Sequence, residues 1–86
     1  ALPIYLKAYY NQKIYTLENF VPERMKFHYN TIAYIDEQNH FNVFQNGRKR
    51  TLSFEPVNYF DVNWGVVWFQ VGVNTNKVFF EGKVYE

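Results

Sequence analysis

A run of three cations, Arg48, Lys49 and Arg50, is the first feature of the sequence that suggests chemistry. The pattern of apolar residues predicts that Phe44 and Tyr34 lie near it on one sheet face. Small β-barrels bind single-stranded nucleic acid by stacking bases on exposed rings while cations hold the phosphates. Three cations at a hairpin tip are more often a solvated turn, so single-stranded nucleic acid is the alternative hypothesis rather than the leading one.

Residues for acid–base or nucleophilic catalysis are few. His28 and His40 are available as a general acid and base, as a small ribonuclease would need, but their spacing is not diagnostic. The pattern predicts His40 in a turn and His28 on the outer face of a strand. Ser53 is expected in mid-strand, without the strained turn that exposes a catalytic serine. We therefore expect no catalytic residue and no enzyme.

Metal and cofactor sites are also not indicated. Asp36, Glu37 and His40 are close in sequence but lack the ligand spacing of zinc or calcium sites. The chain has no cysteine, and its four glycines are isolated, so thiolate metal sites, disulfides and glycine-rich phosphate loops are excluded. We expect neither a metal nor a cofactor.

The elements that position these residues are strands, because apolar residues alternate with a period of two between short Asn, Gly and Pro interruptions. A short helix of at most two turns is predicted near residues 19–26, and residues 56–63 are expected to form a connection. The predicted strands lie at residues 3–10, 13–17, 27–36, 41–45, 50–55, 64–73 and 77–85. The pairing of the first strand stays open.

Loop chemistry gives the registers of the two central hairpins. A loop at Glu37–Asn39, with Asn39 left-handed, places Ile35 opposite Phe41 and Ala33 opposite Val43. Asn46-Gly47 is the strongest hairpin signal, because both residues accept positive φ at little cost. On this register the second face carries Ile32, Tyr34 and Phe44, and it is more apolar than a solvated face should be.

The last hairpin shows the same anomaly. A two-residue loop at Thr75-Asn76 would place Val67, Phe69, Val71, Phe80 and Val84 on the core side. The reverse face would then hold Val66, Trp68, Phe79 and Tyr85. A chain this small covers only part of such surfaces, so we interpret them as partner-binding surfaces, with Val66, Trp68, Phe79, Tyr85, Tyr34 and Phe44 as the candidate residues.

Size and composition agree with a small binding domain. The 86 residues suffice for one domain, and 22% are aromatic, which is ample core material. The formal charge of +1 is too small for a strong general field. No apolar run is long enough for a helical membrane span. The absence of cysteine favours a cytoplasmic protein, and a secreted mature form whose signal has been removed is the alternative.

These observations predict a mainly β fold, a small antiparallel barrel or two-layer sheet of six or seven short strands. The leading hypothesis for function is a non-catalytic protein–protein interaction module, either a homodimer or a small accessory or inhibitory protein. The wealth of Phe, Tyr, Asn and Lys is natural in AT-rich coding sequences such as those of phages and mobile elements. Exposed rings also suit sugars or proline-rich peptides, and residue types do not separate these ligands.

Overall fold

The computed structural model describes residues 6–18 and 22–86, and it confirms the antiparallel all-β class. The described residues form ten strands, more than the six or seven expected. The described part of the predicted helix contains none, since the chain bends at residues 23–24 and a strand begins at Met25. Residues 19–21 of that prediction lie outside the described residues.

The first sheet has two antiparallel strands, β1 (Leu6–Tyr10) and β2 (Lys13–Glu18). Asn11 and Gln12 form the turn between them with φ of 53° and 67°. Positive φ at both positions gives the turn the right-handed twist of the strands it joins. Both strands were predicted, and the open question of the first strand's pairing is answered: β1 pairs with β2.

The second sheet is a four-stranded meander, here called the first four-stranded sheet. Its strands are β3 (Met25–His28), β4 (Thr31–Ile35), β5 (Phe41–Gln45) and β6 (Arg48–Ser53). Ile35 faces Phe41 and Ala33 faces Val43, as predicted. Asn39 has a φ of 65°, which confirms its left-handed conformation.

The third sheet, the second four-stranded sheet, repeats this meander. Its strands are β7 (Val57–Asn63), β8 (Val66–Val71), β9 (Thr75–Phe80) and β10 (Lys83–Tyr85). The prediction of a connection at residues 56–63 was wrong. Val57, Phe60 and Val62 are buried, while the Asn and Asp residues between them are exposed, so polar turn-forming residues occupy the solvent side of a strand.

The predicted register of the last hairpin was also wrong. The turn after β8 spans residues 72–74, and a second tight turn at Glu81-Gly82 separates β9 from β10. Val67 therefore faces Phe79 rather than Val84. Because side chains alternate along a strand, this shift turns Phe79 into the core and Phe80 out of it.

The three sheets stack in layers. The main core lies between the two four-stranded sheets, where Phe41 packs its ring 4.9 Å from that of Phe60 and 5.0 Å from that of Phe69. The two-stranded sheet covers the other side of the first four-stranded sheet. The first strands β3 and β7 contact each other, whereas a cleft of about 390 Å³ separates the β5–β6 hairpin from Phe79 of β9 and from the turn at Glu81-Gly82. The stack is therefore wedge-shaped.

A period of 35 residues relates the sheets. Asn46-Gly47 aligns with Glu81-Gly82 after it and with Asn11-Gln12 before it. The repeat is hard to see in the sequence, because the aligned segments share residue classes more than identities: AYYNQKIY, VFQNGRKR and VFFEGKVY. The two-stranded sheet thus corresponds to the last two strands of a four-stranded unit.

Candidate functional site

The second four-stranded sheet has one face that no other described sheet covers, here called the outer face. Its central row runs across all four strands, pairing Asp61 with Trp68, Trp68 with Val78, and Val78 with Tyr85. Large apolar side chains are partly exposed here: Trp68 to 40%, Phe80 to 43% and Tyr85 to 50%. Such a cluster on a solvated sheet is typical of an interaction surface.

The ring of Tyr59 adds a fourth aromatic group to the outer face. It packs edge-on against Trp68 at 5.1 Å between centroids. Lys26, from β3, lies 5.2 Å from the Tyr59 ring and 3.6 Å from a carboxylate oxygen of Asp61. These contacts hold the β7 edge of the outer face against the first four-stranded sheet.

The sequence prediction placed three outer-face residues correctly: Val66, Trp68 and Tyr85 lie on this side of the sheet. Phe79 does not, since it is only 2% exposed and belongs to the main core. Phe80 was missed. Gly82 was the sequence signal that indicated its position. A tight turn at Glu81-Gly82 determines which side chains of β9 face the core.

Tyr34 and Phe44 also require a correction. They lie on the opposite side of the stack, where β2 covers them through Leu17 and Tyr15, and the rings of Tyr15 and Phe44 are 5.2 Å apart. Both side chains are almost fully buried. They form an interface inside the molecule rather than a free surface.

A polar network closes that internal interface. The Tyr34 hydroxyl donates a hydrogen bond of 2.7 Å to Oε2 of Glu18, and Nζ of Lys49 lies 2.7 Å from the same oxygen. Burial, followed by the hydrogen bond to Glu18, raises the pKa of Tyr34 well above its ordinary value. The buried hydroxyl therefore stays protonated and holds β2 to the sheet.

The three cations do not form one patch. Lys49 lies across from Phe44 and pairs with Glu18 on the side of the two-stranded sheet. Arg48 and Arg50 line the cleft between the two four-stranded sheets, together with Glu81. Alternation along β6 divides the run between two sides, so the nucleic-acid hypothesis stays a prediction with less support than the sequence suggested.

The two histidines lie near opposite ends of β4 and have separate structural partners. Nδ1 of His28 accepts a hydrogen bond of 3.0 Å from the backbone N–H of Trp64, and the two rings meet edge-on. His40 packs edge-on against Phe54 at 4.9 Å. This arrangement does not bring them together as an acid–base pair.

Asp36 organises the loop between β4 and β5. Its carboxylate accepts hydrogen bonds from the backbone N–H groups of Gln38 and His40 and from the side-chain amide of Asn42. Partial burial raises the pKa of Asp36, but these hydrogen bonds outweigh it and hold the pKa below its usual range. In the described residues no three His, Asp or Glu side chains cluster as a metal site would need.

Ser53 acts as a turn residue. Its hydroxyl donates to the carbonyl of Glu55 at 2.8 Å and accepts from the N–H of the same residue at 3.1 Å. Both directions of its hydrogen bonding are used locally. Across residues 6–18 and 22–86 there is also no helix with the length and apolarity to span a membrane.

A family model described as a 10-bladed beta propeller domain matches residues 4–85. The chain belongs to this family. No curated protein and no solved structure matches it. Propellers arrange four-stranded antiparallel sheets as blades around a central channel. The first four-stranded sheet is therefore called the first blade, and the second four-stranded sheet is called the second blade. The two-stranded sheet corresponds to the last half of a blade and is called the half-blade.

The propeller architecture accounts for the wedge. The first strands of neighbouring blades lie nearest the channel and pack closely, as β3 and β7 do. The cleft lies on the side of the later strands, between the β5–β6 hairpin and the end of β9. The 35-residue period is therefore the blade repeat.

Proposed function

We propose that this chain is a non-catalytic propeller segment that acts through protein–protein contact, and that its outer face binds a further blade of the same type. The main support for this proposal is the blade repeat. Ala33 and Val43 of the first blade pack toward the second blade, and the positions 35 residues later are Trp68 and Val78 on the outer face. The outer face is thus the equivalent of a face that is already an interface within the chain.

The opposite side of each blade repeats as well. Tyr34 and Phe44 meet the half-blade, and Phe69 and Phe79, 35 residues later, meet the first blade. Each interface therefore joins large apolar residues of one blade to the face of the blade before it. A further blade with apolar residues at these positions is the partner that the outer face fits.

In a solution of this chain alone, a second copy supplies the partner. The repeat pairs the outer face with the side of the half-blade that no other described sheet covers, where Ile14 is 69% exposed. Ile14 corresponds to Lys49, which faces the preceding layer in the first blade. The contact is therefore head-to-tail, a heterologous arrangement that forms rings or open chains.

The test compares two substitutions that each add one positive charge. Trp68→Lys places the charge in the centre of the outer face, and Val73→Lys places it in the β8–β9 turn, where Val73 is 85% exposed. Because central aromatic anchors dominate interfaces, Trp68→Lys should weaken self-association at least about tenfold, which corresponds to ~1.4 kcal/mol. Sedimentation velocity over a range of concentrations measures this, with far-UV circular dichroism to confirm the fold.

The control Val73→Lys should associate as the unmodified chain does, and Ile14→Lys should dissociate the assembly as Trp68→Lys does. A chain that stays monomeric at every concentration, or a Trp68→Lys variant that associates with unchanged affinity, would contradict the proposal. If Trp68→Lys loses association and Ile14→Lys does not, the contact is symmetric between two outer faces rather than head-to-tail.

A further inference from the structure

Five tight turns lie at one edge of the stacked sheets, here called the tight-turn edge: residues 11–12, 29–30, 46–47, 64–65 and 81–82. Two of them carry aromatic residues at equivalent positions, Tyr29 and Trp64, which are 35 residues apart. Tyr29 is 70% exposed and Trp64 is 69% exposed. The repeat thus places two large rings side by side in solvent, next to Phe80 of the outer face.

Both residues have a backbone conformation that aromatic side chains seldom adopt. The φ angles are 60° at Tyr29 and 51° at Trp64. A bulky side chain in the left-handed region costs roughly 1–2 kcal/mol, whereas Asn tolerates it, as Asn46 does in the turn of β5 and β6. Turn formation therefore does not explain the two rings, and unexplained strain of this kind is typical of functional sites.

The rings form one wall of a notch. Their centroids are 5.5 Å apart and their planes are inclined by 49°. The hydrogen bond from the Trp64 N–H to His28, and the edge-on contact of its ring with His28 at 5.1 Å, hold the Trp64 turn in place. The notch has a volume of about 200 Å³ and is preformed.

Amide side chains form much of the rest of the notch, and Phe80 and Gly65 also line it. Nε2 of Gln45 donates to the carbonyl of Gly65 at 3.0 Å, and Asn30 donates to Oδ1 of Asn46 at 3.3 Å. These bonds orient the amides and, within the described part of the chain, leave Oε1 of Gln45 and Nδ2 of Asn46 for a ligand. The carboxylate-bearing Glu81 completes the lining, and no lysine or arginine of the described residues takes part in it.

We propose that this notch binds a neutral pyranose sugar. A sugar ring has an apolar C–H face that stacks on an aromatic ring and hydroxyl groups that bond to amides and carboxylates. The volume suits one ring, because it is below the ~300 Å³ of pockets for drug-sized ligands. A phosphate ligand would need cations, which the lining lacks. Trp64 is the stacking platform, and Gln45 and Asn46 are the hydroxyl partners.

The experiment titrates the full chain with methyl glycosides of glucose, galactose, mannose and N-acetylglucosamine and with their disaccharides. A Trp68→Phe background leaves Trp64 as the sole tryptophan, so its fluorescence reports on the notch. At least one sugar should shift the emission saturably, with a Kd of about 1 mM, as expected for a small open site. The backbone amide NMR signals of Gln45 and Asn46 should move in the same titration.

Trp64→Asn separates binding from stability. It creates Asn-Gly, the preferred dipeptide of this turn type, so its unfolding free energy should equal or exceed that of the unmodified chain, while sugar binding falls at least tenfold. The backbone amide NMR signals of Gln45 and Asn46 measure sugar binding in this variant. The control is Tyr59→Phe, which alters an aromatic residue of the outer face and should bind the sugar as the unmodified chain does.

No saturable shift with any sugar of the panel would overturn the proposal. So would undiminished sugar binding by Trp64→Asn. Saturable binding of a proline-rich peptide or of oligothymidylate at the notch, without sugar binding, would also overturn it by assigning the site to another ligand class.

Discussion

Replacing Tyr34 by Phe tests the internal blade interface, because it removes one oxygen and keeps the ring. The lost hydrogen bond of 2.7 Å runs from the fully buried Tyr34 side chain to the partly buried carboxylate of Glu18. Net values for hydrogen bonds to charged groups are about 1.5–3 kcal/mol. Since Glu18 keeps its contact with Lys49, we expect the low end, about 1.5 kcal/mol. For a domain of this size the Tm falls by roughly 6–12 °C.

The pH dependence of this difference is the more specific part of the prediction. The pKa of Tyr34 is raised in the folded chain, and in the unfolded chain it is about 10. The stabilisation by the hydroxyl is therefore complete below pH ~10 and is lost as the pH rises toward the folded pKa, by about 1.4 kcal/mol per pH unit. The 1.5 kcal/mol advantage of the unmodified chain should nearly vanish at pH ~11.

Urea unfolding followed by far-UV circular dichroism, at pH 8 and pH 11, measures both effects. Tyr59→Phe is the control, because its ring is 46% exposed on the outer face. Its stability at pH 8 should differ little from that of the unmodified chain. Equal stability of Tyr34→Phe and the unmodified chain at pH 8, or a difference that is constant up to pH 11, would refute the role given to this hydroxyl.

Three further predictions concern the core, the link between the blades and the Asp36 loop. Phe41→Ala should lower the free energy of unfolding by about 3–5 kcal/mol, because its buried ring packs on two others; chemical denaturation measures this loss. Arg24→Lys should lower the free energy of unfolding by about 1 kcal/mol in the same assay. The Arg24 guanidinium donates hydrogen bonds to the carbonyls of both Val57 and Asn58, and a lysine ammonium does not reproduce this two-pronged geometry. Asp36→Asn should be less stable than the unmodified chain at pH 7. Because the folded pKa of Asp36 is lowered, the stabilisation by its carboxylate is present above pH ~4 and is lost as the pH falls through the folded pKa. Thermal unfolding of both chains should therefore show a smaller difference in stability at pH 2.5 than at pH 7.

Each of these predictions has a contrary outcome. A loss below 1 kcal/mol in Phe41→Ala would mean that the core between the blades is loosely packed. Unchanged stability in Arg24→Lys would show that the two carbonyl contacts contribute nothing net. A difference for Asp36→Asn that is the same at both pH values would contradict the hydrogen-bonded carboxylate, and Glu37→Gln, on an exposed neighbour, is the matched control.

Local sequence signals predicted much of the sheet structure. The registers of β4 with β5 and the turn at Asn46-Gly47 followed from loop length and from residues that accept positive φ. The strand β7 was missed because Asn and Asp were interpreted as turn formers, although they alternate with buried Val57, Phe60 and Val62. Local propensity is a weak guide where packing decides the conformation.

The candidate surface was predicted only in part. Trp68 and Tyr85 were assigned to an exposed face correctly, but Phe79 was placed there through a register error of the last hairpin. Two glycines, Gly72 and Gly82, both have positive φ and mark the two true turns. A register based on them would have placed Phe80 rather than Phe79 beside Trp68.

The sequence by itself determined the alternation of the strands, the positions of most tight turns and the presence of two apolar faces on each sheet. Only the tertiary structure decided which of those faces stay open. Tyr34 and Phe44 are aromatic, as are Trp68 and Tyr85, yet β2 buries the first pair and no described sheet covers the second. The reason is physical: a period of two is a local property of the chain, whereas the stacking of sheets depends on contacts between residues far apart in sequence.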